Sequence, residues 1–353
     1  MLPFSFKHVC IESYALHLPE KIVTSDEIEK NFANLYERLS IPMGTLERLS
    51  GIKERRFFGD DETPSQVATI AGKKAIEKIG FDKEHLKALF NCSVTRDYFE
   101  PATAVIVHNA LGFSEDTIAL DITNACIGFS HGMVTLANMI ESGALKAGLV
   151  VAGENISRIT NATYKFIEEN QSVDRTEFLQ LMATFTLGSG AVAMVLAHDS
   201  IATTKHRLVS CVSRAASVCH KMCMGNGDFC FNQVVDLNPI MHTDSHPLMA
   251  NAAELGGRTW ADLSAATGWS VDDVDNIFCH QVGKAVNTGF YKTMGLPMEK
   301  EYTVYQKYGN MISAAMPAAL FSAAEEGCIK PGTKNVLTAF GSGLNALFTG
   351  LIW

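Results

Sequence analysis

The chain has 353 residues, of which 47% are hydrophobic and 19% are charged, and its formal net charge is −9. This composition excludes a disordered or fibrous protein and allows a large buried core. The acidic balance argues against binding of a nucleic-acid backbone, which needs an excess of Lys and Arg.

The N-terminus and the apolar runs favour a cytoplasmic protein. The chain does not open with a basic segment followed by a long apolar stretch, so we expect no secretory signal. No apolar run reaches the length of about 18 residues that a membrane-spanning helix needs. The nine cysteines are scattered and odd in number. That pattern is typical of free thiols in a reducing compartment rather than a disulfide framework.

Strand patterns alternate with helical patterns along the chain. Amphipathic helices are predicted over Pro64 to Ile79 and over Gly132 to Met139, where apolar residues recur at intervals of three and four. Such alternation predicts parallel sheets that are covered by helices on both faces.

Three pairs of similar segments indicate an internal duplication, which predicts two α/β halves, residues 1–198 and 199–353, packed around a shared core. The pairs are the strands that begin at Leu149 and Val336, the Gly-Ser-Gly strands that begin at Gly188 and Gly341, and the segments 89–92 and 277–280.

The region from Ser217 to Asn251 is irregular and rich in Cys, Met and His, and we expect it to cap a site. Structural zinc sites use two pairs of ligands, each pair two to four residues apart, and only one such pair is present here. No metal site is therefore predicted. The candidate ligands are Cys211, Cys219, His220, Cys223 and Cys230.

A predicted strand leads into a sharp turn at Cys126. Residues 121–129 read Asp-Ile-Thr-Asn-Ala-Cys-Ile-Gly-Phe, and a helical pattern follows as far as Gly143. Because the N–H groups and positive end of a helix stabilise a thiolate, we expect a lowered pKa at Cys126. A thiolate exchanges thioesters readily, which makes Cys126 a candidate nucleophile. An ordinary buried thiol is the alternative.

Two further polar residues stand where a ligand site is expected. His280 ends a predicted strand, and the carboxyl edge of a parallel sheet is where ligands bind. Asn310 follows in a Gly-Asn turn that opens a small-residue helix, and its amide donates a hydrogen bond without changing charge. Taken singly, a satisfied core histidine and a turn asparagine are the more common interpretations.

Cys126, His280 and Asn310 together resemble the Cys-His-Asn set of the β-ketoacyl-acyl-carrier-protein synthase III family, within the thiolase superfamily. The resemblance also includes Leu18-Pro-Glu-Lys-Ile-Val-Thr24 and Phe340-Gly-Ser-Gly-Leu344, so it spans nearly the whole chain. It implies a thiolase fold, in which duplicated α/β halves form five layers in the order αβαβα.

The resemblance also implies a role for each residue of the set. Cys126 would carry the acyl group, and His280 and Asn310 would stabilise the enolate of the second substrate. The backbone N–H groups of Cys126 and Ser342 would form the oxyanion hole for the acyl carbonyl. Where the fatty-acid enzyme has Trp and Arg around the coenzyme A adenine, this chain has Thr45 and Leu49, so its coenzyme A contacts are expected to differ.

Within the family, residues 95–104 look like the matching segment of the OleA branch, which condenses long-chain acyl thioesters. In that branch the glutamate that matches Glu100 enters the partner subunit's active site as the base. An unactivated acyl-coenzyme A (acyl-CoA) must lose an α-proton, and a carboxylate with a raised pKa suits that task. The resemblance therefore implies a homodimer that joins two acyl-CoA molecules without decarboxylation and holds no permanently bound cofactor. A solvated loop acid is the alternative for Glu100.

Three alternative functions stay open. They are decarboxylative condensation with malonyl-acyl carrier protein, transfer of the acyl group to an alcohol or amine, and acyl binding without turnover. The carrier of the acyl group, coenzyme A or acyl carrier protein, is open as well. Lys53, Arg55 and Arg56 are weak candidates for contacts with the carrier, with a solvated basic turn as the alternative.

Two apolar channels are needed for two acyl chains, and flexible Met side chains suit them. The candidate lining residues, which could equally belong to the core, are Phe129, Met133, Phe185, Met222, Met224, Met294 and Met316.

Overall fold

The computed structural model describes residues 3–225 and 240–353. The strands are β1 (Phe4–Ser5), β2 (Val9–His17), β3 (Lys21–Thr24), β4 (Glu54–Phe57), β5 (Leu86–Asn91), β6 (Ile118–Asp121), β7 (Ala147–Glu154), β8 (Gly190–His198), β9 (Arg207–Ala215), β10 (Cys223–Gly225), β11 (Met241–Thr243), β12 (Asn276–Cys279), β13 (Lys334–Gly341) and β14 (Asn345–Ile352).

The α-helices are α1 (Ser25–Asn31), α2 (Ala33–Arg38), α3 (Thr45–Ser50), α4 (Pro64–Ile76), α5 (Thr103–Ala110), α6 (Gly128–Glu141), α7 (Ser157–Glu169), α8 (Arg175–Leu181), α9 (Ser245–Thr267), α10 (Lys284–Met294), α11 (Tyr305–Tyr308) and α12 (Ala315–Glu325). Short 3-10 helices cover Lys83–His85, Met182–Thr186, Ser217–Cys219, Met298–Lys300 and Ile312–Ala314. None of the helices in the described ranges is long and apolar enough to cross a membrane.

The main sheet has ten strands, and the same topology occurs twice in it. The first half has the order β2, β8, β7, β5, β6, and the second has β9, β14, β13, β12, with β1 paired to β9. In the first half, β2–β8 and β8–β7 are antiparallel pairs and β7–β5 is a parallel pair. In the second half, β9–β14 and β14–β13 are antiparallel pairs and β13–β12 is a parallel pair. One residue pair, Cys10 with Arg207, joins β2 to β9. The predicted duplication is confirmed.

The expectation of parallel sheets holds for the pairs β5–β6, β5–β7 and β12–β13, but each half also contains an antiparallel strand, β8 or β14. The connection from β13 to β14 is only the turn at residues 342–344. A connection this short can join only antiparallel neighbours. The predicted division after His198 falls between β8 and β9 and stays a prediction about domain boundaries.

Helices form three layers around the two halves of the sheet. Phe129 of α6 and Phe321 of α12 belong to a central core cluster together with strand residues of both halves. Helices α4 and α5 pack on the outer face of the first half, and α9 and α10 pack on the outer face of the second. The predicted α/β fold with a five-layer order is therefore confirmed.

Helix α4 shows how the sequence sets these elements. Thr63 caps its first turn by accepting a hydrogen bond from the Gln66 N–H, and Pro64 occupies the first helical position. The helix ends at Ile76, three residues before the predicted end. The second predicted helix lies inside α6.

Close packing of α4 on β7 gives a test of the outer layer. A Cβ at Gly153 would overlap Pro64 O and lie 2.9 Å from Ala68 N, and these backbone atoms cannot move without shifting the helix. We expect Gly153→Ala to lower the free energy of unfolding by about 1–3 kcal/mol, measured by thermal or denaturant unfolding.

Gly289→Ala is the matched control. Gly289 lies inside α10, and nothing lies within 4 Å of a Cβ built there. Alanine should therefore stabilise the helix by about 0.5–1 kcal/mol. Equal unfolding midpoints for the two variants would contradict the packing described here.

Candidate active site

Cys126 lies in a tight turn between β6 and α6. Ala125 has a φ of 45°, and the Gly128 N–H donates to Ala125 O at 3.1 Å, which closes the turn. A Cβ at Gly128 would lie 2.8 Å from Cys92 O, so glycine lets the helix start close to β5. The half-buried Cys126 lines a large cavity.

The turn between β13 and β14 packs directly against this cysteine turn. A Cβ at Gly341 would lie 3.1 Å from Ile127 N and 2.9 Å from Ile127 Cγ2. The Asn345 side-chain amide donates to Ser342 O at 3.1 Å and to Asn124 Oδ1 at 3.3 Å. These contacts bring Ser342 to the wall of the cavity that Cys126 lines.

His280 directly follows β12, which pairs in parallel with β13, so it lies at the same end of these strands as Gly341. Its N–H donates to Thr338 O of β13 at 2.9 Å, three residues before Gly341. The side chain lines the cavity and is only 3% exposed, and Nδ1 has no hydrogen-bond partner in the part of the chain that the structure describes. Burial lowers the pKa of His280 to about 4. The imidazole is therefore neutral at pH 7 and can accept a proton.

Asn310 is held by backbone contacts across the two halves. Its N–H donates to Thr186 O at 2.9 Å, and its carbonyl accepts from the Gly188 N–H at 2.9 Å. The side-chain Oδ1 accepts from the Ile312 N–H at 2.9 Å. This bond orients the carboxamide and leaves Nδ2 as the donor for the cavity that Asn310 lines.

Burial raises the pKa of the Cys126 thiol, and Cys223 and Glu154 raise it further. This direction is opposite to the expected lowering of the pKa, because loss of solvent disfavours the charged thiolate. His280, which lines the same cavity, is neutral and supplies no positive charge. The resting site therefore holds a thiol and a neutral imidazole rather than a thiolate–imidazolium pair.

The cavity has a volume of about 1350 Å³, and Cys126, His280, Asn310 and Ser342 all line it. The structure thus brings these four predicted residues together, while their catalytic roles stay predictions. Apolar side chains line the cavity on two sides, from α3 and the segment 179–187 and from α9 and α10. Examples are Leu46, Leu179, Leu187, Leu248, Val286 and Phe290.

Of the candidate channel residues, only Met224 lines the cavity. Phe129, Met133, Met316, Met294 and Phe185 are core residues, and Met222 packs against the outer core of the second half. A Met or Phe in a buried helix looks the same in sequence whether it faces a core or a channel. The methionines that do line the cavity are Met182, Met224, Met241 and Met249.

The predicted cap over the site is partly described. Strands β10 and β11 pair with each other, and Cys223 and Met241 in them line the cavity. Cys230 lies outside the described residues. Among the cysteines and histidines considered for zinc, those that are described form no ligand cluster; His8, His198 and Asp199 form the one such group found in the described ranges.

Glu100 lies outside the cavity of its own chain. Residues 96–99 line the cavity, and Glu100 follows them on the surface. Tyr98 and Phe99 are 61% and 67% exposed. The structure of one chain therefore does not bring Glu100 to Cys126.

Of the weak carrier candidates, Lys53 is exposed and Arg56 is half-buried, with Arg56 donating to Pro19 O at 2.9 Å. Arg55 is 0% exposed and donates to Ser25 Oγ at 2.9 Å and Phe185 O at 3.0 Å. It cannot meet a phosphate, because β4 alternates and turns this side chain inward.

Two basic residues that the sequence analysis missed line the cavity, namely Arg96 and Arg158. Each follows the end of a strand of the first half, Arg96 after β5 and Arg158 after β7. A search for basic residues after strand ends, rather than for a run of basic residues, would have found them.

Known proteins resemble this chain over its full length. Residues 120–216 match the family model of 3-oxoacyl-[acyl-carrier-protein] synthase III, and residues 264–351 match that of its C-terminal part. The chain is 36% identical to the acyl-CoA:acyl-CoA alkyltransferase of Shewanella oneidensis, over 99% of both chains. The β-ketoacyl-[acyl-carrier-protein] synthase III of Listeria monocytogenes is 29% identical over 93% of both chains.

Crystal structures of Xanthomonas campestris OleA have the same fold. One histidine variant superposes with a TM-score of 0.92 at 32% identity, covering 99% of this chain and 100% of that one. A cysteine-to-serine variant of the same enzyme was solved with bound lauric acid and lauroyl-CoA. Other structures carry a substituted glutamate.

The protonation state of Cys126 can be tested by alkylation. Since the pKa of this thiol is raised, iodoacetamide should modify Cys126 at least about tenfold more slowly at pH 7 than the exposed Cys328, and the rate should rise without a plateau up to pH 9. Peptide mass spectrometry measures both sites in one sample. A plateau at pH 6–7 would show a stable thiolate and contradict the neutral pair.

Proposed function

The chain belongs to the 3-oxoacyl-[acyl-carrier-protein] synthase III family, and we propose that it joins two acyl-CoA molecules by a non-decarboxylative Claisen condensation through an acyl-Cys126 intermediate. The observation that carries this proposal is that Cys126, His280 and Asn310 line one cavity with apolar walls. The 36% identity to an acyl-CoA:acyl-CoA alkyltransferase supports the choice of substrates.

In the first step, the Cys126 sulfur attacks the thioester carbonyl of one acyl-CoA. The neutral His280 takes the thiol proton as the carbon–sulfur bond forms, so no thiolate is needed beforehand. The N–H groups of Cys126 and Ser342 donate to the oxygen that becomes negative. Coenzyme A leaves as a thiolate, regains the proton, and the acyl group stays on Cys126 as a new thioester.

In the second step, another acyl-CoA loses a proton from its α-carbon to the carboxylate of Glu100 of the partner subunit. Hydrogen bonds from His280 and from the Asn310 Nδ2 stabilise the enolate oxygen. The α-carbon then attacks the acyl carbonyl, the bond to the Cys126 sulfur breaks, and the sulfur regains a proton. The product is a 2-alkyl-3-oxoacyl-CoA, which yields a β-keto acid on hydrolysis. The thioesters activate both carbons themselves, and no permanently bound cofactor takes part.

The cavity suits two long acyl chains and a coenzyme A carrier. Its volume of about 1350 Å³ exceeds the range of roughly 300–1,000 Å³ that is usual for small-ligand sites. Arg96 and Arg158 supply the positive charge that coenzyme A phosphates need. The eight described cysteines are all unpaired, which supports a cytoplasmic location.

We propose that the enzyme is a homodimer and that Glu100 acts as the base in the partner's cavity. Strand β6 lies at the edge of the sheet, and its Ile118 and Leu120 are 42% and 49% exposed. An apolar edge strand favours a partner that covers it. In Xanthomonas OleA, the substituted glutamate and cysteine are separated by the same number of positions as Glu100 and Cys126.

Asn310→Ala separates the two steps. It removes one enolate donor, so we expect condensation to fall about 100- to 1000-fold while acylation of Cys126 continues. Intact-protein mass spectrometry follows the acyl adduct, and product mass spectrometry follows condensation. Asn34→Ala, on the exposed face of α2, is the control. An equal loss of both steps would argue against a role in enolate stabilisation.

Mixed dimers test the base. Cys126→Ala and Glu100→Ala are each expected to reduce the rate of condensation by at least about 100-fold. If Glu100 acts on the partner, a dimer with one subunit of each variant regains one complete site and about half of the activity per dimer. No recovery on mixing, or full activity of Glu100→Ala alone, would reject the assignment.

A further inference from the structure

Glu154 is a buried carboxylate that takes no part in the proposed chemistry. It is the last residue of β7 and is 0% exposed. Its carboxylate accepts hydrogen bonds from the Val94 N–H at 2.9 Å, the Thr95 N–H at 3.0 Å and the Thr95 hydroxyl at 2.9 Å. The Ser313 hydroxyl donates a fourth hydrogen bond.

The first three hydrogen bonds hold the start of the segment that leads to Glu100. Residues 94–99 of this segment line the cavity. The neighbouring backbone adds to the same attachment, since the Gly153 N–H donates to Ser93 Oγ at 2.8 Å and the Asn155 N–H donates to Thr95 Oγ1 at 3.2 Å. The end of β7 thus fixes the origin of the segment that carries the proposed base.

The fourth hydrogen bond holds the Asn310 turn. Ser313 lies in the 3-10 helix Ile312–Ala314, and the Ile312 N–H is the donor that orients the Asn310 side chain. A displacement of Ser313 would therefore move the group that fixes the direction of the Asn310 Nδ2. Glu154 is the one side chain whose hydrogen bonds, among those described, join these two segments.

The donor set requires an acceptor at both carboxylate oxygens. Oε1 accepts from Val94 and Ser313, and Oε2 accepts both bonds from Thr95. A glutamine would place an NH₂ group against two of these donors, and the backbone N–H groups cannot reverse their role. The hydroxyl group at the same oxygen can turn to accept from the NH₂, so glutamine keeps the size of the side chain but loses one backbone hydrogen bond and places two N–H donors against each other.

We infer that Glu154 is a positioning residue that holds the Glu100 segment and the Asn310 turn in place for the condensation step. The inference rests on the proposed function, and it gives a role in that reaction to a residue that does not contact the substrate. Acylation uses Cys126, His280 and the backbone N–H groups, none of which hydrogen-bonds to Glu154 in the described structure. Glu154 also raises the pKa of the Cys126 thiol, so its loss would lower that pKa and should not slow acylation. Loss of Glu154 should therefore slow the second step and leave the first step at least as fast.

The test compares Glu154→Gln with the wild type supplied with lauroyl-CoA. We expect turnover of the condensation to fall about 10- to 100-fold, while the rate of acyl-Cys126 formation does not fall and the KM stays within about twofold. Thr95→Val and Ser313→Ala should each lose part of this turnover, and Thr95→Ser should retain more of it than Thr95→Val. Adding Ser313→Ala to Glu154→Gln should cause little further loss.

Glu12→Gln is the matched control. Glu12 is also buried and accepts from the Gly80 N–H, the Thr203 N–H and the Thr203 hydroxyl, but it does not line the cavity. It should lower the thermal midpoint without changing the ratio of condensation to acylation. If Glu154→Gln behaves in the same way, or condenses at the wild-type rate, the inference is wrong.

Two further outcomes can be distinguished from failure of the inference itself. Should Glu154→Gln fail to fold, Thr95→Val and Ser313→Ala decide, because an unchanged ratio of condensation to acylation in both rejects the inference. Should the wild type itself form no condensed product, the proposed function fails and the positioning role fails with it.

Discussion

The site depends on backbone contact between the two halves of the fold. Gly341 at the end of β13 lies so close to the cysteine turn that a Cβ there would sit 3.1 Å from Ile127 N. A second crossing lies at Gly188, whose N–H donates to the Asn310 carbonyl. A larger residue at either glycine would separate the halves. The nucleophile belongs to the first half and the two hydrogen-bond donors belong to the second. This contact therefore brings the three residues together in one site.

Burial then sets the chemistry of the assembled site. The same loss of solvent raises the pKa of the Cys126 thiol and lowers that of His280 to about 4. Both effects favour the uncharged form. An uncharged pair suits an apolar cavity, where a thiolate and an imidazolium would each lose hydration. It also leaves a neutral imidazole for both steps, first as the acceptor of the thiol proton and then as a donor to the enolate.

Much of the fold and the centre of the site could be predicted from sequence, because they rest on local signals. The repeated strand segments indicated the duplication, and Cys126, His280 and Asn310 each follow a recognisable strand or turn. The predictions that were wrong concern the direction in which a side chain faces in the folded chain. Arg55 points inward only because of its register in β4, and the Met and Phe candidates line a core or a channel according to packing that sequence does not show. The predicted lowering of the Cys126 pKa was wrong because the burial of this thiol depends on the tertiary structure.

The central claim is that the cavity joins two acyl groups by a carbon–carbon bond, and the most direct measurement is the mass of the product formed from one long-chain acyl-CoA supplied alone. The account predicts a branched β-keto acid or its thioester that carries both acyl chains, with isotope from a carbonyl-labelled substrate at two carbons. Release of the free fatty acid alone, with no product that contains two chains, would contradict it.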